Sequence, residues 1–234
     1  MSMLIEENFN KRNNYLDIVF CIDCSGSMED FIRKFQKESK TLYKNILEQS
    51  ENRCLDLKVC RIKIITFKDL HYKDDSPVMD SGFFELPNDH ILMEDYVSSI
   101  NPLNGSCNYN YGLQALSLAI KSDWQKHVID ANVKNTYRHL IVMITDSESY
   151  PLDNQNDTKV KDDIKTGCAK SLEELCHWWE NDTNAFMPRG KKLCLFAPDV
   201  YPWAEIGLNF NVCMHHPLHD TKDFDFSLIY HCIY

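Results

Sequence analysis

The stretch from Asp17 to Met28, Asp-Ile-Val-Phe-Cys-Ile-Asp-Cys-Ser-Gly-Ser-Met, passes from an almost continuous apolar run into a short polar turn. A brief apolar run bounded by polar residues is typical of a strand that is buried on both faces of a sheet. Apolar residues then recur every three or four positions from Glu29 to Glu48, which predicts a long amphipathic helix. The order strand, tight turn, helix is the beginning of an α/β fold.

The same alternation continues along the chain. Apolar runs that predict further strands are Lys58–Phe67, Leu140–Thr145, Leu193–Ala197 and, more weakly, Phe210–Met214. Helical patterns are Tyr111–Trp124, Ser171–Trp179 and a closing segment, Asp223–Ile233. Strands that alternate with helices form parallel sheets with right-handed crossovers. We therefore expect a three-layer, doubly wound α/β fold with a mostly parallel sheet of about six strands.

One strand is expected to run against the others. Met79–Leu86 follows the second predicted strand after a loop that is too short to contain a crossover helix. Such a segment pairs antiparallel with its predecessor, at the edge of the sheet. With 234 residues, the chain suits one hydrophobic core, which we assign to residues 16–234, with residues 1–15 as an N-terminal extension and 153–165 as an exposed loop.

Composition excludes several classes of protein. Lys and Arg total 25 against 35 Asp and Glu, a net charge of −10, so nucleic acid is a poor candidate ligand. No apolar run is long enough to span a membrane. Residues 1–15 are polar and do not resemble a secretory signal, which favours a cytoplasmic protein. The ten cysteines are interpreted as thiols, because disulfide scaffolds are typical of much shorter secreted chains.

The polar turn after the first strand carries the candidate site. Asp23, Ser25 and Ser27 place one carboxylate and two hydroxyls in a DxSxS pattern, and Asp146 follows the strand at 140–145. Ligand sites of parallel sheets form beyond the carboxyl ends of strands, where loops from different strands converge. Two carboxylates brought together there repel unless a cation lies between them. Oxygen ligands select hard cations such as Mg²⁺, Mn²⁺ or Ca²⁺.

These residues resemble the metal-ion-dependent adhesion site of von Willebrand factor type A domains. In that family, DxSxS, a Thr or Asp on a second loop and an Asp on a third hold the metal. The resemblance covers nearly the whole chain from Leu16 and implies that Asp23, Ser25, Ser27 and Asp146 bind a divalent cation, most simply Mg²⁺. It also implies a protein partner that offers an acidic residue to the metal, with no catalysis.

The second loop departs from the family pattern. The position that corresponds to the family's Thr, five residues before Gly112, is Cys107, and a thiol is a soft ligand that Mg²⁺ does not favour. Either Ser106 supplies the hydroxyl, or more water completes the metal shell, or the site is degenerate. Tyr109 and Tyr111 flank this loop and are candidate partner contacts, although packing in the core explains them equally well.

The later part of the chain resembles a bacterial branch of the family. The segments that carry this resemblance are Pro-Arg-Gly-Lys-Lys at 188–192, Phe-Ala-Pro-Asp at 196–199 and Tyr-Pro-Trp at 201–203. Similar proteins accompany tellurium-resistance or conflict-defence systems. The resemblance therefore implies a bacterial defence or stress-response setting.

The sequence also allows other chemistries. A metal-dependent phosphohydrolase could use the same carboxylates, although Ser25 stands where a haloacid dehalogenase needs a second Asp. Cys21 and Cys24 have the CxxC spacing of redox or zinc sites, which is weak without the surrounding fold. A zinc site could be formed by the residues Cys213, His215, His216 and His219. Pro217 rules out helical spacing of these histidines.

Overall fold

A computed structural model describes residues 12–69, 76–102, 109–126, 135–153, 167–181, 190–218, 221 and 224–234. The strands are β1 Arg12–Asp23, β2 Leu55–Phe67, β3 Val78–Leu86, β4 Tyr109–Asn110, β5 Asn135–Ile144, β6 Glu148–Ser149, β7 Lys191–Ala197 and β8 Cys213–Pro217. The helices are α1 Glu29–Glu51, α2 His90–Ser99, α3 Gly112–Ile120, α4 Leu172–Asn181, α5 Trp203–Asn209 and α6 Ser227–Ile233. A 3₁₀ turn, Gly26–Met28, precedes α1.

Six of the strands form one sheet in the order β3-β2-β1-β5-β7-β8. All neighbouring pairs are parallel except β2 and β3, which are antiparallel. The predicted α/β architecture with one antiparallel edge strand is therefore confirmed. The chain leaves β1 toward β2 on one side and returns through β5 on the other, so the strand order reverses between β1 and β5. In doubly wound sheets this reversal opens a crevice at the carboxyl ends of the strands.

Alternate side chains of β1 enter two separate cores, one on each face of the sheet. Leu16, Ile18, Phe20 and Ile22 pack with α1, α2 and α6. Val19 and Cys21 pack on the opposite face with α3, α4 and α5. The buried run in β1 is continuous because both faces are covered by helices. The result is three layers, with the sheet in the middle.

Several element boundaries differ from the prediction. α3 ends at Ile120, and Trp124 folds back so that its indole Nε1 donates to the carbonyl of Ile120 at 3.1 Å. β8 begins at Cys213, because the buried Phe210 closes α5 and Val212 has a left-handed φ of 53°. The closing helix begins only at Ser227.

The first strand begins before residue 16, the predicted start of the domain. β1 begins at Arg12, so the strand includes residues 12–15. Residues 1–11 lie outside the described residues, as does almost all of the loop predicted at 153–165. In the described part of the chain, none of the helices has the length and apolar character needed to cross a bilayer.

Candidate functional site

Asp23 occupies the centre of the candidate site. It is the last residue of β1, next to the point where the strand order reverses, and its side chain has no solvent exposure. Its Oδ2 accepts hydrogen bonds of 2.7 Å from both Asn110 Nδ2 and Thr145 Oγ1, and its Oδ1 accepts one of 2.8 Å from the Ser25 backbone N–H. The carboxylate is therefore fixed by groups from three separate loops.

The two serines of the DxSxS turn lie at the surface beside Asp23. Ser25 is half-buried and Ser27 is exposed. Their hydroxyl oxygens are 3.1 Å apart, a separation that lets both oxygens face one small ligand. Ser27 lies in the 3₁₀ turn Gly26–Met28, and Ser25 is the residue that precedes this turn.

Asp146 reaches the same edge from the end of β5. It is half-buried and accepts a 2.9 Å hydrogen bond from the Ser147 hydroxyl. Burial raises the pKa of Asp23 to about 6, the hydrogen bonds from Thr145 and Ser25 oppose the shift, and the charge of Asp146 adds to it. The structure thus brings Asp23, Ser25, Ser27 and Asp146 to one edge of the sheet, at the carboxyl ends of β1 and β5.

The predicted residues of the second loop, Ser106 and Cys107, lie outside the described residues. Their proposed role in metal binding stays a prediction. The described end of that loop reaches the site through Asn110, which the sequence analysis did not identify. Asn110 donates to Asp23 and, at 2.9 Å, to Thr145, while its Oδ1 accepts from the Gly112 N–H at 3.0 Å.

A small sheet holds the second and third loops together. β4 pairs in parallel with β6, so Asn110 stands beside Ser149. The Ser149 hydroxyl accepts the Leu113 N–H at 2.9 Å, which attaches the start of α3 to the loop that follows β5. No sequence pattern predicts these two-residue strands, because each forms only when the two loops meet. The pair fixes the second loop beside the loop that follows β5.

Trp203 supports the loop that carries Asp146. Its indole is buried, and Nε1 donates to the carbonyl of Ser147 at 2.8 Å. A Cβ at position 112 would lie 2.8 Å from the Trp203 ring. Glycine is therefore required there, because the first turn of α3 packs directly against the indole.

The two predicted aromatic contacts have different surroundings. Tyr109 is 43% exposed, and its ring stacks on Tyr150 with centroids 5.6 Å apart. Tyr111 is 3% exposed, and its ring is tilted against that of Tyr150 with centroids 5.0 Å apart. Tyr150 in turn donates to Asp69 Oδ1 at 3.1 Å. Tyr109 is thus the accessible ring, and Tyr111 supports it from the core.

The oxygen-rich site fits a hard divalent cation. Two carboxylates and two hydroxyls converge there, and a cation would neutralise the repulsion between Asp23 and Asp146. Within the described ranges, no group of three or more His, Cys, Asp or Glu side chains forms a metal cluster. The candidate ligands that the structure describes at this edge of the sheet are therefore two carboxylates and two hydroxyls.

Among the described residues, the alternative sites from the sequence do not assemble. Cys21 and Cys24 enter cores on opposite faces of the sheet, so they are not a redox pair. His215 and His216 are neighbours on β8 and point to opposite faces. His215 Nε2 lies 3.1 Å from the carbonyl of Ala197, and the His216 ring stacks on Phe196 with centroids 5.1 Å apart. His219 lies outside the described residues.

Comparison with known proteins identifies the fold. No protein-family model and no curated protein matches this sequence. Among solved structures, the pilus adhesin SpaC of Lactobacillus rhamnosus GG is similar over 94% of this chain and 30% of the adhesin, with a TM-score of 0.52 and 11% identity. This similarity supports the α/β fold.

Two further structures are similar at lower scores. The vWF domain of the type V pilus tip protein Mfa5 of Porphyromonas gingivalis matches 60% of this chain and 41% of its own, with a TM-score of 0.34 and 17% identity. Proximal thread matrix protein 1 of the mussel byssus matches 95% of this chain and 48% of its own, with a TM-score of 0.42 and 10% identity. This chain spans less than half the length of each of the three.

Proposed function

We propose that this chain is a binding domain of the von Willebrand factor type A kind, which holds a divalent cation at the carboxyl ends of β1 and β5. The proposal rests chiefly on one observation. A fully buried Asp23 accepts a hydrogen bond from Thr145, the residue before Asp146, across the point where the strand order reverses, and the hydroxyls of Ser25 and Ser27 follow it in the same turn. A divalent cation stabilises this arrangement because it offsets the charge of both carboxylates.

The roles of the residues follow from their exposure. Ser25, Ser27 and Asp146 are accessible and would contact the ion or its waters, with Ser106 or Cys107 added from the second loop. Asp23 lies below them and would hold the ion directly or through a water. Mg²⁺ keeps several waters and exchanges one for a carboxylate. An acidic residue of a protein partner would take that position.

The hydrogen bonds of Asp23 favour binding over catalysis. Both oxygens of its carboxylate are engaged, by Asn110, Thr145 and the Ser25 N–H. These bonds limit direct contact of Asp23 with a phosphorus atom and with an ion alike. An ion can still be held through a water, whereas a nucleophile must make the direct contact.

Thermal unfolding tests the metal site directly. Mg²⁺ that binds only the folded state adds about 2.7 kcal/mol when its concentration is a hundred times Kd. We expect the melting temperature to rise with Mg²⁺ and to return to its original value with chelator. Asp146→Ala should abolish the rise. Asp199→Ala, which removes an exposed carboxylate beyond β7, should leave it unchanged.

Affinity capture with the same two variants tests the partner. Capture should require Mg²⁺ and fail with Asp146→Ala. A second assay measures turnover of a generic phosphoester with Mg²⁺ or Mn²⁺. If the wild type turns the substrate over and Asp23→Ala does not, the binding proposal is overturned in favour of a phosphohydrolase. A third outcome is that Mg²⁺ does not stabilise the protein and that a partner is captured equally well with chelator. This outcome would indicate a scaffold with a degenerate metal site.

The family resemblance also suggests where the domain acts and in which kind of system. We place the domain in the cytoplasm, within a bacterial defence or stress-response system, and we expect neither nucleic acid nor membrane as its ligand. The net charge of −10 supports the exclusion of nucleic acid. Fractionation of the native host, with the metal-dependent partner identified in each fraction, tests this setting.

A further inference from the structure

A cavity of about 170 Å³ opens at the same edge of the sheet as the candidate metal site. It lies on the β2 side of the DxSxS turn, whereas Asn110 and Thr145 lie on the β5 side. Cys24, which lines the cavity, stands between Asp23 and Ser25 in the chain, and its N–H donates to the carbonyl of Phe67 at 2.8 Å. The wall of the cavity and the candidate metal site therefore share one turn.

The size and lining of the cavity suit one bulky apolar side chain. A cavity of about 150 Å³ lined by apolar side chains holds benzene. Here the apolar part of the wall comes from β2, the start of β3 and the end of α2, and includes Phe67, Pro77 and Ile100. The polar part of the wall includes Thr66, Tyr96 and Ser99.

The position of the cavity favours a partner segment as the occupant, because it adjoins the turn at which an acidic residue of the partner is proposed to bind. Among the described residues of the wall, Lys68 is the charged one, and its charge is positive. Met79 also lines the cavity and is 52% exposed, so a bound segment would cover it. A cation at the neighbouring site would add to the attraction for acidic groups.

We propose that this cavity receives a large apolar side chain of the same partner segment whose acidic residue binds the metal. This inference rests on the proposed function and specifies it further: the partner presents Asp or Glu with Leu, Ile, Met or Phe within a few residues. The carboxylate provides the metal contact, and the apolar side chain provides selectivity. Burying such a side chain improves affinity by about ten- to a hundredfold.

Selection from a peptide library tests this inference. A displayed random library is selected on the immobilised wild-type protein in Mg²⁺, and the selected peptides are then measured with Ser99→Trp and Ser98→Trp. Ser99 is an exposed residue that lines the cavity, and its hydroxyl bonds only to the carbonyl of its own helix at Tyr96 among the hydrogen bonds described. Ser98 is its exposed neighbour and does not line the cavity.

We expect selected peptides to carry an acidic residue with a bulky apolar residue nearby. Their affinity should fall by about ten- to a hundredfold in Ser99→Trp, where an indole fills the cavity, and should not change in Ser98→Trp. Melting curves of both variants confirm that they fold, and Ser99→Leu provides a smaller filling group. Replacing the apolar residue of the peptide by Ala should have the same effect as filling the cavity.

The outcomes separate this inference from the proposed function. If acidic residues are selected in a Mg²⁺-dependent manner but apolar neighbours are not, or if Ser99→Trp binds normally, the cavity has no such role and the metal site stands. If no Mg²⁺-dependent selection of acidic residues occurs, the proposed function is overturned and the inference with it.

Discussion

At the scale of single residues, the buried carboxylate of Asp23 determines how the candidate site responds to pH. Its carboxylate is removed from solvent, and three donors replace the water that it loses. Burial nevertheless raises its pKa to about 6. A group with this pKa is protonated in mildly acidic solution, and a proton and a cation then compete for it.

Stabilisation by Mg²⁺ should therefore depend on pH. A carboxyl whose pKa rises on folding binds more protons in the native than in the unfolded state between about pH 4 and 6, so metal-free stability falls as pH increases through that window. Mg²⁺ can stabilise the folded state once the Asp23 carboxyl has lost its proton. We expect the increase in melting temperature with millimolar Mg²⁺ to be large at about pH 7.5 and small at about pH 5.

Asp23→Asn provides the control for this pH dependence. An amide does not titrate, so the stability of the metal-free variant should be flatter over the same window. If Mg²⁺ raises the melting temperature of the wild type equally at both pH values, Asp23 does not take part in metal binding.

Asn110 is a residue whose role only the structure reveals. Asn110→Ala would remove the donor to Asp23 and Thr145 and leave the Gly112 N–H without its acceptor. We expect a loss of about 1–3 kcal/mol in the free energy of unfolding, because buried polar groups are left unsatisfied. Weaker stabilisation by Mg²⁺ should accompany it. Chemical denaturation measures both effects.

Asn101→Ala is the matched control for Asn110→Ala. Asn101 is exposed, and its amide donates only to the neighbouring carbonyl of Ser99 at 3.0 Å among the hydrogen bonds described. This substitution should leave stability almost unchanged. If the two variants lose equal stability, Asn110 does not organise the site.

At the scale of elements, a buried ion pair joins β1, β2 and the turn after α3. Arg61 Nε and Nη2 donate to the two carboxylate oxygens of Asp17 at 2.9 and 2.6 Å. The Gln125 N–H also donates to Asp17 at 2.7 Å. The Arg61 guanidinium lies 4.3 Å from the centroid of the Phe83 ring, which brings β3 into the cluster. Asp17 is fully buried.

Arg61→Ala should destabilise the fold strongly. It leaves the Asp17 charge buried without its main partner, a change that costs about 3 kcal/mol in comparable cases. Arg33→Ala removes another Arg–carboxylate pair, in which Arg33 Nε and Nη2 both donate to Glu29 Oε1 on the exposed surface of α1, and there we expect little change. Urea denaturation of both variants compares them. Equal losses would contradict a structural role for the buried pair.

Some helices and strands could be predicted from their own sequences and others could not. α1 was predicted because its apolar residues keep helical spacing toward one core. α2 was not, since Ile91 and Leu92 are 71% and 61% exposed while Met93 and Val97 are buried. Apolar residues on both sides of a helix remove the periodic signal. β3 was predicted as an antiparallel edge strand from the length of the preceding loop, and this is confirmed.

At the scale of the whole molecule, the cysteines behave as part of the packing. The described cysteines are free thiols, and five of them are buried: Cys21, Cys24, Cys60, Cys194 and Cys232. Burial raises the pKa of the thiols of Cys21, Cys24 and Cys60, which makes them poor nucleophiles. Cys54 is the exposed thiol among the described cysteines.

Thiol titration should reflect this distribution. Without reductant, the denatured protein should titrate ten thiols, the number of cysteines in the chain. In the native protein, Cys54 should react fastest among the described cysteines, and Cys54→Ser should remove its labelled peptide from the fast phase. Cys60→Ser should leave the fast phase unchanged. Fewer than ten thiols after denaturation would reveal a disulfide and contradict the free-thiol structure.

The sequence by itself determined the layered α/β fold and the positions of Asp23 and Asp146, because buried strands require apolar runs and polar residues that follow them must emerge at strand ends. Tertiary structure alone decided that Asn110 and Thr145 share the Asp23 carboxylate and that Tyr111 is buried while Tyr109 is exposed. It also produced the β4–β6 pair and the cavity beside Cys24. These features arise from contacts between loops far apart in the chain, and local patterns of hydrophobicity contain no information on such contacts.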